Sequence, residues 1–151
     1  MSPTFTVFIH VGRSIDEVYE AVADPAILSR YFTTGGAKGR LETGATVTWE
    51  FHDFPGGFPV EIVEAVKNRK IVLRWEASEN GPAGYRTTVT FVFEPIDAGA
   101  RTKVSVSEEG WRETEAGRAA SYMNCMGWSQ MLAALKMWVE HGINLREGAY
   151  K

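Results

Sequence analysis

Glu108 is the residue whose type and position most invite chemistry. Val104 and Val106 alternate with Lys103, Ser105 and Ser107 just before it. In a strand, residues two apart share a face, so Glu108 follows the valines inward and aims a carboxylate into apolar surroundings. Burial disfavours the charged form, which predicts a raised pKa and a group able to donate a hydrogen bond or act as acid or base. The competing reading ends the strand before Glu108, or pairs the residue with an Arg or Tyr. Glu109 has the opposite parity and is expected in solvent. No second group completes a catalytic set. His10, His52 and His141 lack zinc-type spacing to one another or to Cys125. No Gly-x-Ser-x-Gly elbow occurs. Gly35-Gly36-Ala37-Lys38-Gly39 lacks the Gly-Lys-Ser/Thr ending of a phosphate loop and is read as a mobile rim. Cys125 sits between apolar neighbours and reads as buried and inert. Neither a metal nor a cofactor is expected.

A second set of residues suits binding rather than reaction. Trp49, Phe51, Trp75, Phe91, Phe93, Trp111, Trp128 and Met131 are large, apolar and placed by strand or helix phase toward one interior. Each can be plain core. Together they can frame a gap, since ligand sites are mostly apolar with few polar anchors. Met123, Gly127 and Leu135 continue the helical stripe beside them. Gly127 stands out, because glycine inside a helix costs about 1 kcal/mol relative to alanine. It either leaves room for a ligand or lets a strand pack closely.

The elements that must position these residues follow from periodicity. Thr4 to Val11 alternates as a first strand. Ser14-Ile15-Asp16-Glu17 has capping-box spacing and predicts a short helix to about Ala23. Asp24-Pro25 restarts a second, ending near Phe32. Val47 to Phe51, Val60 to Val66, Ile71 to Glu76, Thr88 to Phe93 and Thr102 to Glu108 then read as strands. Phe54-Pro55-Gly56-Gly57-Phe58-Pro59 and Asn80-Gly81-Pro82-Ala83-Gly84 read as loops between them. The absence of intervening helices predicts an antiparallel meander. From Thr114 to Ile143 the spacing becomes three and four, predicting a helix of roughly 45 Å that crosses the whole sheet.

Composition sets the outer bounds. The chain has 151 residues, 44% hydrophobic and 23% charged, as expected of one globular domain over 1–151. Sixteen Lys+Arg against nineteen Asp+Glu leave a charge of −3. That gives no global attraction for nucleic acid or anionic membranes. The single cysteine forbids an intramolecular disulfide. The first residues lack the pattern of a signal peptide, and no apolar run approaches the ~20 residues that span a bilayer. The expected compartment is the cytoplasm.

The order strand, two short helices, run of strands, long terminal helix resembles the helix-grip (SRPBCC) superfamily of START and birch-pollen-allergen-type ligand carriers. Ile15-Asp16-Glu17-Val18-Tyr19-Glu20-Ala21-Val22-Ala23-Asp24-Pro25 and Glu61-Ile62-Val63-Glu64-Ala65…Ile71-Val72-Leu73-Arg74-Trp75 are similar to its Aha-type branch, the homologues of the heat-shock ATPase activator. Glu109-Gly110-Trp111 and Gly127-Trp128…Leu132…Leu135 extend the likeness. The resemblance implies an α+β fold, a curved antiparallel sheet gripping the C-terminal helix, usually around a cavity. It is a superfamily of carriers, cyclases, hydrolases and chaperone-binding modules, so it does not select a function. The reading is therefore a carrier or sensor of a small apolar or aromatic ligand, as monomer or homodimer. The alternatives are a cavity enzyme using Glu108 and a module with a protein partner.

Overall fold

A computed structural model describes residues 1–79 and 81–151, the side chains of 81–83 excepted. Seven strands form one antiparallel sheet in the order β1-β7-β6-β5-β4-β3-β2. They are β1 (Phe5–Val11), β2 (Gly36–Lys38), β3 (Thr46–Phe51), β4 (Phe54–Val66), β5 (Lys70–Glu79), β6 (Gly81–Ile96) and β7 (Arg101–Glu109). Helices α1 (Ile15–Ala23) and α2 (Pro25–Leu28) follow β1, and α3 (Glu115–His141) ends the regular structure. The α+β helix-grip architecture is the expected one. The concave face of the sheet and the inner side of α3 enclose a single main core, with Phe91, Phe93, Val104, Val106, Met131, Leu132 and Leu135 all buried. A small satellite cluster joins Ala77, Trp111 and Ala120.

Several local expectations change. Ser14 stands at the N-cap of α1, but its side chain makes no capping hydrogen bond. Glu17 turns instead toward Arg13, 3.8 Å away. Asp24 does cap α2, accepting from the Ala26 N–H at 2.9 Å. That helix stops at Leu28 rather than Phe32, and Tyr31 is held by its own bond, Oη donating to the Ala21 carbonyl at 2.8 Å. The segment read as a mobile rim contributes β2, which pairs with β3 from Gly36↔Glu50 to Lys38↔Thr48. The segment Phe54–Pro59 read as a loop is the first half of β4, turned back on β3 after His52 and Asp53. Proline removes a ladder donor, and this half of β4 tolerates Pro55 and Pro59 because it has one strand neighbour only. The second expected loop is also mostly strand: Gly81–Gly84 opens β6, and Asn80 lies outside the described residues.

Helix α3 is closed at both ends by recognisable chemistry. Thr114 Oγ1 accepts from the Gly117 N–H at 3.0 Å. Gly142 takes a left-handed conformation, φ 68°, and its N–H reaches the Trp138 carbonyl at 2.8 Å. Glu140 ties the last turn to the start of α1. It accepts from the Gly12 N–H at 2.7 Å and from Lys136 Nζ at 2.5 Å. Burial pushes the Glu140 carboxyl upward, but the Gly12 N–H and the Lys136 ammonium more than reverse this and hold it below the ordinary glutamate value. The unfolded chain therefore takes up that proton at a higher pH than the native state does. Stability from this group is full above the ordinary glutamate range and falls as pH drops through the native value. Glu140→Gln should cost roughly 1–2 kcal/mol near pH 6 by urea denaturation, given the worth of a charged hydrogen bond. The difference from wild type should shrink toward pH 3. A constant difference across that window would refute the assignment.

Candidate functional site

Strand parity does carry Glu108 inward, and its side chain is 0% exposed. No Arg or Tyr meets it. Oε2 accepts from Trp75 Nε1 at 3.0 Å and Thr87 Oγ1 at 2.6 Å. Oε1 accepts from Trp128 Nε1 at 2.8 Å. Asn124 Nδ2 bridges both oxygens at 3.1 and 3.2 Å. Every partner is a donor aimed at an acceptor, which is the complement a carboxylate requires. The group thus holds three strands and α3 in one polar knot inside an apolar interior.

That knot orients two indoles. With both N–H groups turned to Glu108, the Trp75 and Trp128 rings lie 5.4 Å apart between centroids, tilted by 30°. Trp49 meets Trp75 edge-on at 5.9 Å, and Phe91 meets Trp128 edge-on at 5.4 Å. Asn124 is fixed from its other end by Ser78 Oγ, 3.0 Å from its Oδ1.

Two adjoining cavities open against this wall. One, ≈ 320 Å³, lies between α3, the end of β3 and the C-terminal tail, and is bordered by Trp75, Met123, Gly127, Trp128 and Arg146. The other, ≈ 820 Å³, lies between β4 and β5, with Phe58, Trp75 and Ala77 toward its inner side. Phe51, Trp75 and Asn124 border both. The tail is clamped across the first cavity by Arg146. Its Nη2 donates to Asp53 Oδ1 and Oδ2 at 2.7 and 2.9 Å, and its Nε donates to Oδ1 at 3.2 Å. The guanidinium lies 5.0 Å from the Phe51 ring centre and 4.9 Å from that of Tyr150.

The sequence-predicted residues separate accordingly. Phe51, Trp75, Met123, Gly127 and Trp128 reach the cavities. Trp49, Phe91, Phe93, Met131 and Leu135 do not: they are buried in the main core, Trp49 edge-on to Phe32 and Phe93 edge-on to Tyr19 of α1. Trp111 belongs to the satellite cluster with Ala77 and Ala120. Met123 does not face the sheet. It is 62% exposed, because the inward positions of α3 run Ala120, Asn124, Trp128, Met131 and Leu135. Phe58, Asn124, Asp53 and Arg146 were missed. Extending the alternation of Val60 and Ile62 back through Pro59 would have found Phe58. Asn124 could be found only by asking what satisfies Glu108. Among the described residues no three His, Cys, Asp or Glu side chains gather as metal ligands. No helix among them is long and apolar enough to cross a membrane.

Residues 13–140 match the family described as Activator of Hsp90 ATPase homolog 1-like protein. The chain belongs to that family. No curated protein matches it. Among solved structures, the Activator-of-Hsp90-ATPase-type fold recurs in protein SSP2350 from Staphylococcus saprophyticus, 24% identical, with a TM-score of 0.79 over 95% of this chain and 96% of that one. It recurs in the Aha1 dimer from Colwellia psychrerythraea, 23% identical, with a TM-score of 0.73 over 93% and 98%. DynU16, a putative protein in the dynemicin biosynthetic locus, is 22% identical with a TM-score of 0.77, covering 93% of this chain and 48% of that one. At these identities the structural likeness establishes the fold alone.

Proposed function

We propose that the chain binds a small apolar or aromatic molecule against Trp75 and Trp128, as a carrier or sensor. One observation carries this reading. The Glu108 knot consumes both indole N–H groups, leaving carbon faces to border the cavities. A pocket of several hundred Å³ with apolar walls and few polar anchors suits such a ligand. Glu108 has no exposed surface and no free donor or acceptor role, which argues against the acid–base enzyme. Its role is to position the tryptophans.

A panel of naphthalene, 2-naphthol and indole titrated into the protein tests the reading through tryptophan emission. Saturable quenching is expected, unchanged by excess chelator. Failure of every member to bind saturably, or binding that chelator abolishes, would overturn it.

A protein-interaction module is the second reading. The family description supports it, and so do Tyr122, Met123 and Met126, which are 69%, 62% and 49% exposed on neighbouring turns of α3. The cytoplasm is the compartment that fits either reading. The Colwellia neighbour is a dimer, and for this chain monomer or homodimer is decided by sedimentation.

A further inference from the structure

The sheet is split. Among the described residues β4 and β5 share a ladder only from Glu61↔Arg74 to Val66↔Lys70, with an irregularity between Ile62 and Glu64. Past that point Phe54–Val60 pairs with β3 alone, and Trp75–Glu79 pairs with β6 alone. A strand with one neighbour leaves the peptide groups on its other side unpaired, and such an edge templates another strand. The open edge here is that of β5: on β4 the Ile62 N–H and C=O turn to the β3 side, so Pro59 turns to the slot without an N–H, and the Gly56 N–H is already donated to Glu50. That edge of β5 faces the first half of β4 across the ≈ 820 Å³ cavity. It is five residues, which at about 3.3 Å per residue gives a run of roughly 17 Å.

The walls of the slot alternate in the same sense as a strand would. Phe51, Phe58, Trp75 and Ala77 lie on the inner side. Glu61, Arg74, Glu76 and Arg86 lie on the outer rim, where Arg86 pairs with Glu61. An extended peptide sends successive side chains to opposite faces, so apolar residues at alternate positions would meet the rings. Polar or charged residues between them would meet a rim that holds both signs.

We propose that this slot takes an extended peptide segment of about five residues, alternating apolar and polar, as an added strand on the free edge of β5. The backbone supplies the recognition, through N–H and C=O groups that no rigid apolar molecule could satisfy. Alternation supplies the register. The proposal goes beyond the small-ligand reading and does not depend on it, since the edge is present whatever fills the inner cavity.

The experiment uses the full chain and a panel of acetylated, amidated pentapeptides in which Phe, Leu or Val alternates with Lys, Glu or Thr. Each has a twin N-methylated at alternate amides, which keeps the side chains and removes one row of donors. Binding is read by fluorescence anisotropy and by amide hydrogen exchange. At least one peptide should bind saturably, protect amides within 75–79, and lose tenfold or more of its affinity on N-methylation. Failure of the whole panel overturns the proposal. So does equal binding by the methylated twins, or protection elsewhere. Peptide failure with naphthalene still bound sinks this inference alone, and the reverse outcome sinks the small-ligand reading alone.

Discussion

Glu108→Ala should lower stability by about 3–5 kcal/mol, because several donors lose their acceptor at about 1–3 kcal/mol for each one left buried. The substitution removes the acceptor of the Trp75 and Trp128 N–H groups, the Thr87 hydroxyl and the Asn124 amide, of which Thr87 and Trp128 are buried. Glu108→Gln should fall between, at roughly 1–3 kcal/mol, because an amide keeps one oxygen but presents N–H where donors converge. Denaturation in urea, followed by near-ultraviolet circular dichroism, measures both. The same spectra should show loosened tryptophan packing in Glu108→Ala before global unfolding. A loss under 1 kcal/mol for that variant would contradict the knot.

The second large effect is expected at Gly127. A Cβ added there meets nothing within 4 Å, so the position borders open space rather than a close-packed strand. Its backbone is helical, and alanine is the better residue in a helix interior by about 1 kcal/mol. Gly127→Ala should therefore raise stability by about 0.5–1 kcal/mol. Gly127→Leu should leave stability unchanged or improved while its side chain occupies the ≈ 320 Å³ cavity. Naphthalene affinity should then fall at least tenfold, in the same quenching assay. A stability loss of about 1–3 kcal/mol in Gly127→Leu would mark overpacking and defeat the cavity-wall assignment.

Most of the fold was legible because two periods dominate the chain. Val104, Val106 and Glu108 keep the strand parity that buries all three. The three-and-four spacing from Thr114 onward yields α3, with Thr114 and Gly142 at its caps. The first half of β4 was not legible because proline and glycine have no packing signal of their own. Their tolerance depends on β5 being absent from that side, a fact about three-dimensional pairing. The site was legible in part. Hydrophobicity alone selects Met123 over Asn124, yet the helix turns Asn124 inward because a buried carboxylate waits there. The pairing of Asp53 with Arg146 joins residues 93 apart through a tail without periodicity, and no local pattern could announce it.

The Arg146 clamp also bears on time. One wall of the smaller cavity is α3, through Met123, Gly127 and Trp128, and another is the stretch from Ile143 to Lys151; among the described residues its Arg146 is fastened to the body by the Asp53 ion pair and the Phe51 ring contact. Segments with so few fastenings open at a small fraction of the free energy that unfolds a core. Traffic through that wall can proceed by fraying of the tail while the sheet stays intact. If the proposed ligand binds there, its dwell time is set by residues 143–151, and the core that defines the fold has little say in it.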